Sequence, residues 1–187
     1  MKTLGDQLSN YASYHRDRRN IATHFVGIPM IFVAVVTLLS RPTFAVVEGV
    51  PLTPATLVAA GAVLFYLALD RRFGVLMAAL TGLSMWAGAC LATQSTGIWL
   101  GAGLGLFVVG WIIQFVGHAF EGRKPAFVDD LIGLLVGPLF VVAEVAFALG
   151  LRPEVRDEVV RRAGPTRAGK PTDGSPTAAS MAIDEHG

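Results

Sequence analysis

The stretch Tyr14–Phe32, YHRDRRNIATHFVGIPMIF, decides how the rest of the chain reads. A charged run, Arg16 to Arg19, leads straight into an apolar segment, and His15 and His24 stand on either side of the change. Basic residues collect at the cytoplasmic ends of spanning helices. The stretch therefore reads as the mouth of a membrane helix, with two imidazoles at the boundary between water and lipid.

The composition agrees. Of 187 residues, 53% are hydrophobic and 16% charged, against about 25% charged in soluble domains, and the mean hydropathy is +0.56. The formal net charge is +1 and no nucleic-acid partner is expected. Cys90 is the single cysteine, which excludes an intramolecular disulfide and a CxxC metal site. The polar first two dozen residues are not those of a secretory signal.

A spanning helix needs about 20 apolar residues. Five segments approach that length: Phe25–Ser40, Leu52–Leu69, Phe73–Thr93, Gly97–Phe120 and Leu131–Leu151. Ahead of them, Leu4, Leu8, Tyr11, Ala12 and His15 recur at helical spacing, so Thr3–Arg19 reads as an amphipathic helix lying along the membrane interface. The residues from 152 to 187 form a basic tail, with disorder expected from about Arg162 onward.

Basic residues then set the orientation. Arg16, Arg18 and Arg19 put the N-terminus in the cytoplasm, and Arg71–Arg72 and Arg123–Lys124 return there after two and four crossings. A fifth full crossing would put Arg152, Arg156, Arg161 and Arg162 outside. That segment also contains Gly137–Pro138 and Glu144, an internal helix breaker and a carboxyl at bilayer depth. The expected fold is an all-α polytopic membrane helix bundle, with four crossings and a broken or re-entrant fifth segment. Residues 1–151 form one membrane-embedded domain, and both termini are cytoplasmic.

This topology gathers His15, His24 and His118 on one membrane face, while His186 falls in the tail. On one straight helix His15 and His24 would stand about 2.5 turns apart and face opposite ways. They meet only if the chain bends between them, and Asn20 is a candidate N-cap for a new helix there. In the fourth segment Gln114, His118 and Glu121 share one helical stripe. Such polar side chains on an apolar helix belong against a protein interior or a cavity. Neutral imidazole is a common metal ligand and suits iron, zinc, copper and nickel alike, so the residues alone leave the metal open. The glycines Gly101, Gly103 and Gly105 lie inside an apolar helix and read as packing residues.

Three motifs, YHRDRRNIATHFVGIP (14–29), GWIIQFVGHAFEGRKPAFVDDL (110–131) and GPLFVVAEV (137–145), carry a family resemblance. The chain resembles the fungal endoplasmic-reticulum 2-hydroxy fatty acid dioxygenase family and its bacterial relatives over roughly residues 3 to 151. Fungal members carry a second histidine where this chain has Arg16. The resemblance implies an integral membrane enzyme, here of the bacterial inner membrane, with its site on the cytoplasmic face. It implies Fe(II) held by His15, His24 and His118. Its substrates would be a 2-hydroxy fatty acid and O2, and its products the acid one carbon shorter and CO2. Glu121 is then a further ligand or a partner to the ligands. Asn20 and Gln114 orient ligands or the substrate carboxylate, and Arg16 or Arg19 attracts that carboxylate. Homo-oligomerisation stays open. The competing readings are a small transporter or channel, which would spread polar groups through the bilayer, and a non-catalytic membrane scaffold.

Overall fold

The computed structural model describes residues 2–168, and the expectations for the remaining tail, including His186, lie outside them. The regular elements among the described residues are helices apart from one hairpin. Helix α1 spans Leu4–Ala12 and α2 Arg18–Leu39. A two-stranded antiparallel hairpin follows, β1 Ala45–Val47 and β2 Val50–Leu52. Then come α3 Pro54–Leu69, α4 Arg71–Ala92 and α5 Thr96–Glu121, a 3-10 turn Ala126–Val128, α6 Gly133–Ala148 and α7 Pro153–Ala163.

Helices α2, α4 and α5 are long and apolar enough to cross a membrane. Helix α3 is apolar but has only 16 residues, about 24 Å of rise. Its expected first residue, Leu52, belongs instead to the hairpin. Large apolar side chains such as Leu64, Val75, Leu83, Trp86 and Ile112 point outward from α3, α4 and α5. A continuous apolar exterior of this kind is what lipid covers.

The last apolar segment breaks, but not at its proline. Pro138 sits inside a continuous α6, as Pro29 sits inside α2. The break comes after α6, where α7 leaves at 115°. Gly150 and Arg152 both take positive φ there, 73° and 55°. Arg152 then anchors the start of α7 through two hydrogen bonds to Asp70, at 3.1 and 2.9 Å.

The N-terminal helix is shorter and more enclosed than its pattern suggested. A capping box between Thr3 and Asp6 starts α1, and the helix stops at Ala12. Seven of its nine residues are buried. It packs on α6 and α7, with Leu8, Tyr11 and Ala12 joining Leu139, Phe140, Val155 and Val159 in one core. Helix α7 thus occupies the first part of the segment expected as tail, and it remains helical through Arg162 to Ala163.

The close approach of α2 to α5 places the polar residues. A Cβ on Gly27 would lie 2.9 Å from the Gly110 carbonyl oxygen, and one on Gly110 would lie 3.1 Å from that of Gly27. Only glycine lets two backbones meet so closely. Gly103 opposes Leu38 farther along, whereas Gly101 and Gly105 face open space, so one of the three spaced glycines is a packing residue here. At the far end Trp99 Nε1 donates to the Thr37 carbonyl at 2.8 Å, and Arg41 donates to the Ala92 and Gln94 carbonyls.

Candidate metal centre

The bend that His15 and His24 require lies between Ala12 and Arg18. Asp17, not Asn20, caps α2, accepting from Arg19 N–H at 2.8 Å. His24 then stands in the second turn of α2, and His118 near the end of α5. His15 occupies the loop and packs flat on Tyr11, with ring centroids 4.2 Å apart.

The three imidazoles converge. Their ring centroids are 4.4 Å apart for His15–His24, 5.0 Å for His15–His118 and 5.2 Å for His24–His118. One ligand atom from each lies within 4.8 Å of the others. All three residues are buried, with exposures of 0%, 1% and 7%. Burial, reinforced by His24 alongside, pushes the His15 imidazole well below its usual value, so it is neutral and keeps a lone pair.

Backbone carbonyls fix which nitrogen is free. His15 Nδ1 lies 2.7 Å from the Tyr11 carbonyl oxygen and His24 Nδ1 lies 2.9 Å from that of Asn20, each four residues back. A carbonyl only accepts, so each Nδ1 carries the proton and each Nε2 keeps the lone pair. Metal-ligating histidines are commonly oriented in this way. His15 Nε2 and His118 Nδ1 are buried with no hydrogen-bond partner. Such orphaned atoms cost about 1–3 kcal/mol each. The donor set, its convergence and its unpaired nitrogens fit a metal ion.

Glu121 is hydrogen-bonded through both of its oxygens. Its Oε2 accepts from Arg16 N–H at 2.9 Å, Asp17 N–H at 2.7 Å and Asn20 Nδ2 at 3.1 Å. Its Oε1 accepts from Arg167 Nη2 at 2.8 Å. With both oxygens engaged, this fully buried carboxylate clamps the loop that carries His15 to the end of α5. Asn20 belongs to the same clamp and also presents its carbonyl to His24.

Arg16 and Arg19 do not face the cluster. Arg16 Nε donates to the Ala12 and His15 carbonyls and Nη1 to that of Gly164. Arg19 pairs with Asp17 at 2.9 Å and lies over the Phe120 ring. Neither lines the adjoining cavity. Glu144 is half-buried on α6, outside both the cluster and the cavity.

That cavity has a volume of about 410 Å³. Tyr11, His24, Gln114 and His118 line its polar end. Along α2 the wall runs through Ile28, Ile31, Val35 and Leu39, opposite Ala55, Ala59 and Ala62 of α3. The fifteen-residue step from His24 to Leu39 corresponds to about 22 Å along the helix. Gln114 is 4% exposed, and neither atom of its amide group has a partner. Its amide stands at the histidine end of the cavity without a protein partner.

Tyr11, Asp17 and Arg167 carry parts of this arrangement that their sequence positions did not announce. Tyr11 could have been found from its place four residues before His15, one helical turn away. Nothing in the sequence pairs Arg167 with Glu121, 46 residues apart.

Among known proteins, the model of the family described as "2-hydroxy-palmitic acid dioxygenase Mpo1-like" matches residues 1–149. The 2-hydroxy-palmitic acid dioxygenase MPO1 of Saccharomyces cerevisiae is 33% identical over 155 residues, covering 82% of this chain and 85% of the yeast protein. No solved structure matches the chain. The family match holds all three converging histidines together with Asn20, Gln114 and Glu121, and the chain belongs to the 2-hydroxy-palmitic acid dioxygenase Mpo1-like family.

Proposed function

We propose that this chain is an Fe(II)-dependent membrane dioxygenase acting on 2-hydroxy fatty acids. In the reaction a 2-hydroxy acid and O2 give the acid one carbon shorter, CO2 and water. One observation carries the reading: a buried three-histidine cluster stands at the polar end of a long apolar cavity. The yeast relative's name supplies the substrate class. Iron with three imidazole ligands retains open positions for the 2-hydroxy acid's oxygens and for O2, which is the chemistry this group supplies when bound.

The residues divide the remaining work. The Gln114 amide hydrogen-bonds the substrate's carboxylate or hydroxyl as it reaches the histidines. The cavity takes the acyl chain, each buried CH2 contributing about 0.8 kcal/mol. Carbon–carbon bonds of about 1.5 Å in a zigzag make an extended sixteen-carbon chain about 19 Å long, comparable to the wall along α2. Asn20 and Glu121 act as positioning residues that hold the two histidine-bearing elements in register.

The cluster lies at the Arg16–Arg19 end of α2, which the positive residues assign to the cytoplasmic side. In our reading α2, α3, α4 and α5 make four crossings of the bacterial inner membrane. The bent α6–α7 unit returns without crossing, and α1 lies at the cytoplasmic interface.

The test is O2 uptake by detergent-purified protein loaded anaerobically with Fe(II) and given 2-hydroxypalmitate, with the product acid identified by mass. Uptake coupled to an acid one carbon shorter, lost in His24→Ala and His118→Ala, is expected. Iron bound without uptake would overturn the substrate assignment, and no bound metal would overturn the site.

A further inference from the structure

Beyond α7 the chain comes back over the metal centre. It turns at Gly164, where φ is 80°, and lays residue 167 beside the loop that follows His15. Arg18 N–H donates to the Arg167 carbonyl at 2.9 Å, and Arg167 N–H donates to the Arg16 carbonyl at 2.6 Å. These bonds form a short parallel bridge between Asp17 and Arg167. Arg16 Nη1 adds a bond to the Gly164 carbonyl at 2.8 Å. Arg167 Nη2 reaches Glu121 Oε1 at 2.8 Å. The Glu121 side chain is wholly buried there, whereas that of Arg167 is 43% exposed.

The strap is held by its own anchor. Val155 and Val159 of α7 are buried in the core. Arg162 pairs with Asp6 and Glu158, both at 2.6 Å, and Arg152 pairs with Asp70 at 2.9 Å. The family match ends at residue 149, so α7 and the strap lie outside the part of the chain that carries it.

We propose that Arg167 is a positioning residue for the metal centre, its backbone and guanidinium together holding the His15 loop closed and slowing metal release. It acts through two routes. The backbone bonds restrain residues 16–18, immediately after His15. The guanidinium neutralises Glu121, whose other oxygen takes only neutral N–H donors from Arg16, Asp17 and Asn20. Removing the cation leaves a buried carboxylate without its counter-charge, and the clamp on the loop weakens. This inference rests on the metal reading given above.

The experiment loads the full-length protein in detergent with Fe(II) anaerobically and follows transfer of the ion to a colorimetric chelator. Arg167→Ala is expected to release iron about tenfold faster, the low end of the range for losing a direct partner of a metal ligand, because Arg167 reaches the histidines only through Glu121 and the loop. Both variants keep the backbone bonds, and Arg167→Lys, which also keeps the charge, is expected to restore most of the retention. Metal-free R167A is expected to melt below the unsubstituted protein, because Glu121 loses its counter-charge, and metal-free R167K close to it. Release from R167A at the unsubstituted rate would overturn the guanidinium's part, and with it the role proposed for Arg167, and leave the proposed function standing. Equal losses in R167A and R167K, with a lowered melting temperature of the metal-free forms, would reduce Arg167 to a structural residue. Failure of the unsubstituted chain to take up Fe(II) would overturn both readings.

Discussion

Glu121 Oε2 accepts the backbone N–H of Asp17 at 2.7 Å, joining the end of α5 to the cap of α2 across 104 residues of sequence. The carboxylate takes three donors on this oxygen and a guanidinium on the other. Glu121→Gln keeps the size but removes the charge and turns an amide N–H toward donors. A loss of about 2 kcal/mol is expected, from charged hydrogen bonds of about 1.5–3 kcal/mol each partly replaced by neutral ones. Denaturation in detergent with the metal removed measures it. A variant as stable as the parent would show that the clamp contributes nothing.

Gln114 finds no protein partner for either polar atom of its buried amide. Gln114→Leu replaces this buried amide by an apolar group, so the substrate-free protein is expected to gain about 1 kcal/mol. The same change removes a hydrogen bond to the substrate. KM is expected to rise about tenfold, which corresponds to about 1.4 kcal/mol. Stability and KM measured on one preparation check both signs; an unchanged KM would remove Gln114 from substrate binding.

Ala55 lines the end of the cavity away from the histidines and is 1% exposed. Ala55→Phe shortens the space for an acyl chain. For each CH2 that no longer fits, about 0.8 kcal/mol is lost, or about fourfold in kcat/KM. A series of 2-hydroxy acids of increasing length is expected to show its optimum moved to shorter chains. An unmoved optimum would place the acyl chain elsewhere.

Asp6 ties the strap's anchor to α1 and gives it a pH dependence. Its bond from the Thr3 backbone, together with Arg162, lowers its carboxyl to about 2. A depressed carboxylate contributes stability that is present above its unfolded value, about 3.9, and is lost as pH falls through the folded value. Melting temperature is therefore expected to fall between about pH 4 and 2, and less steeply in Asp6→Asn. Parallel curves for the two proteins would show that the Asp6–Arg162 contact is unimportant.

The sequence by itself determined the helical class, the three long apolar helices and the grouping of His15, His24 and His118. These follow from local properties: runs of apolar residues, the placement of arginines, and the helical stripe of Gln114, His118 and Glu121. It also required a bend between His15 and His24, because nine residues of straight helix would separate them. Tertiary structure alone decided where the bend falls, since the Asp17 cap depends on a loop that Glu121 holds from α5. It decided that α1 is enclosed by α6 and α7, a burial that an amphipathic stripe does not distinguish from a membrane surface. It kept Pro138 within α6 and moved the break to the residues before α7, where Arg152 finds Asp70. It also gave Glu121, expected as a ligand or a partner to the ligands, its hold on the His15 loop. A carboxylate binds whichever donors lie nearest, and here Arg16, Asp17, Asn20 and Arg167 are brought to it by folding.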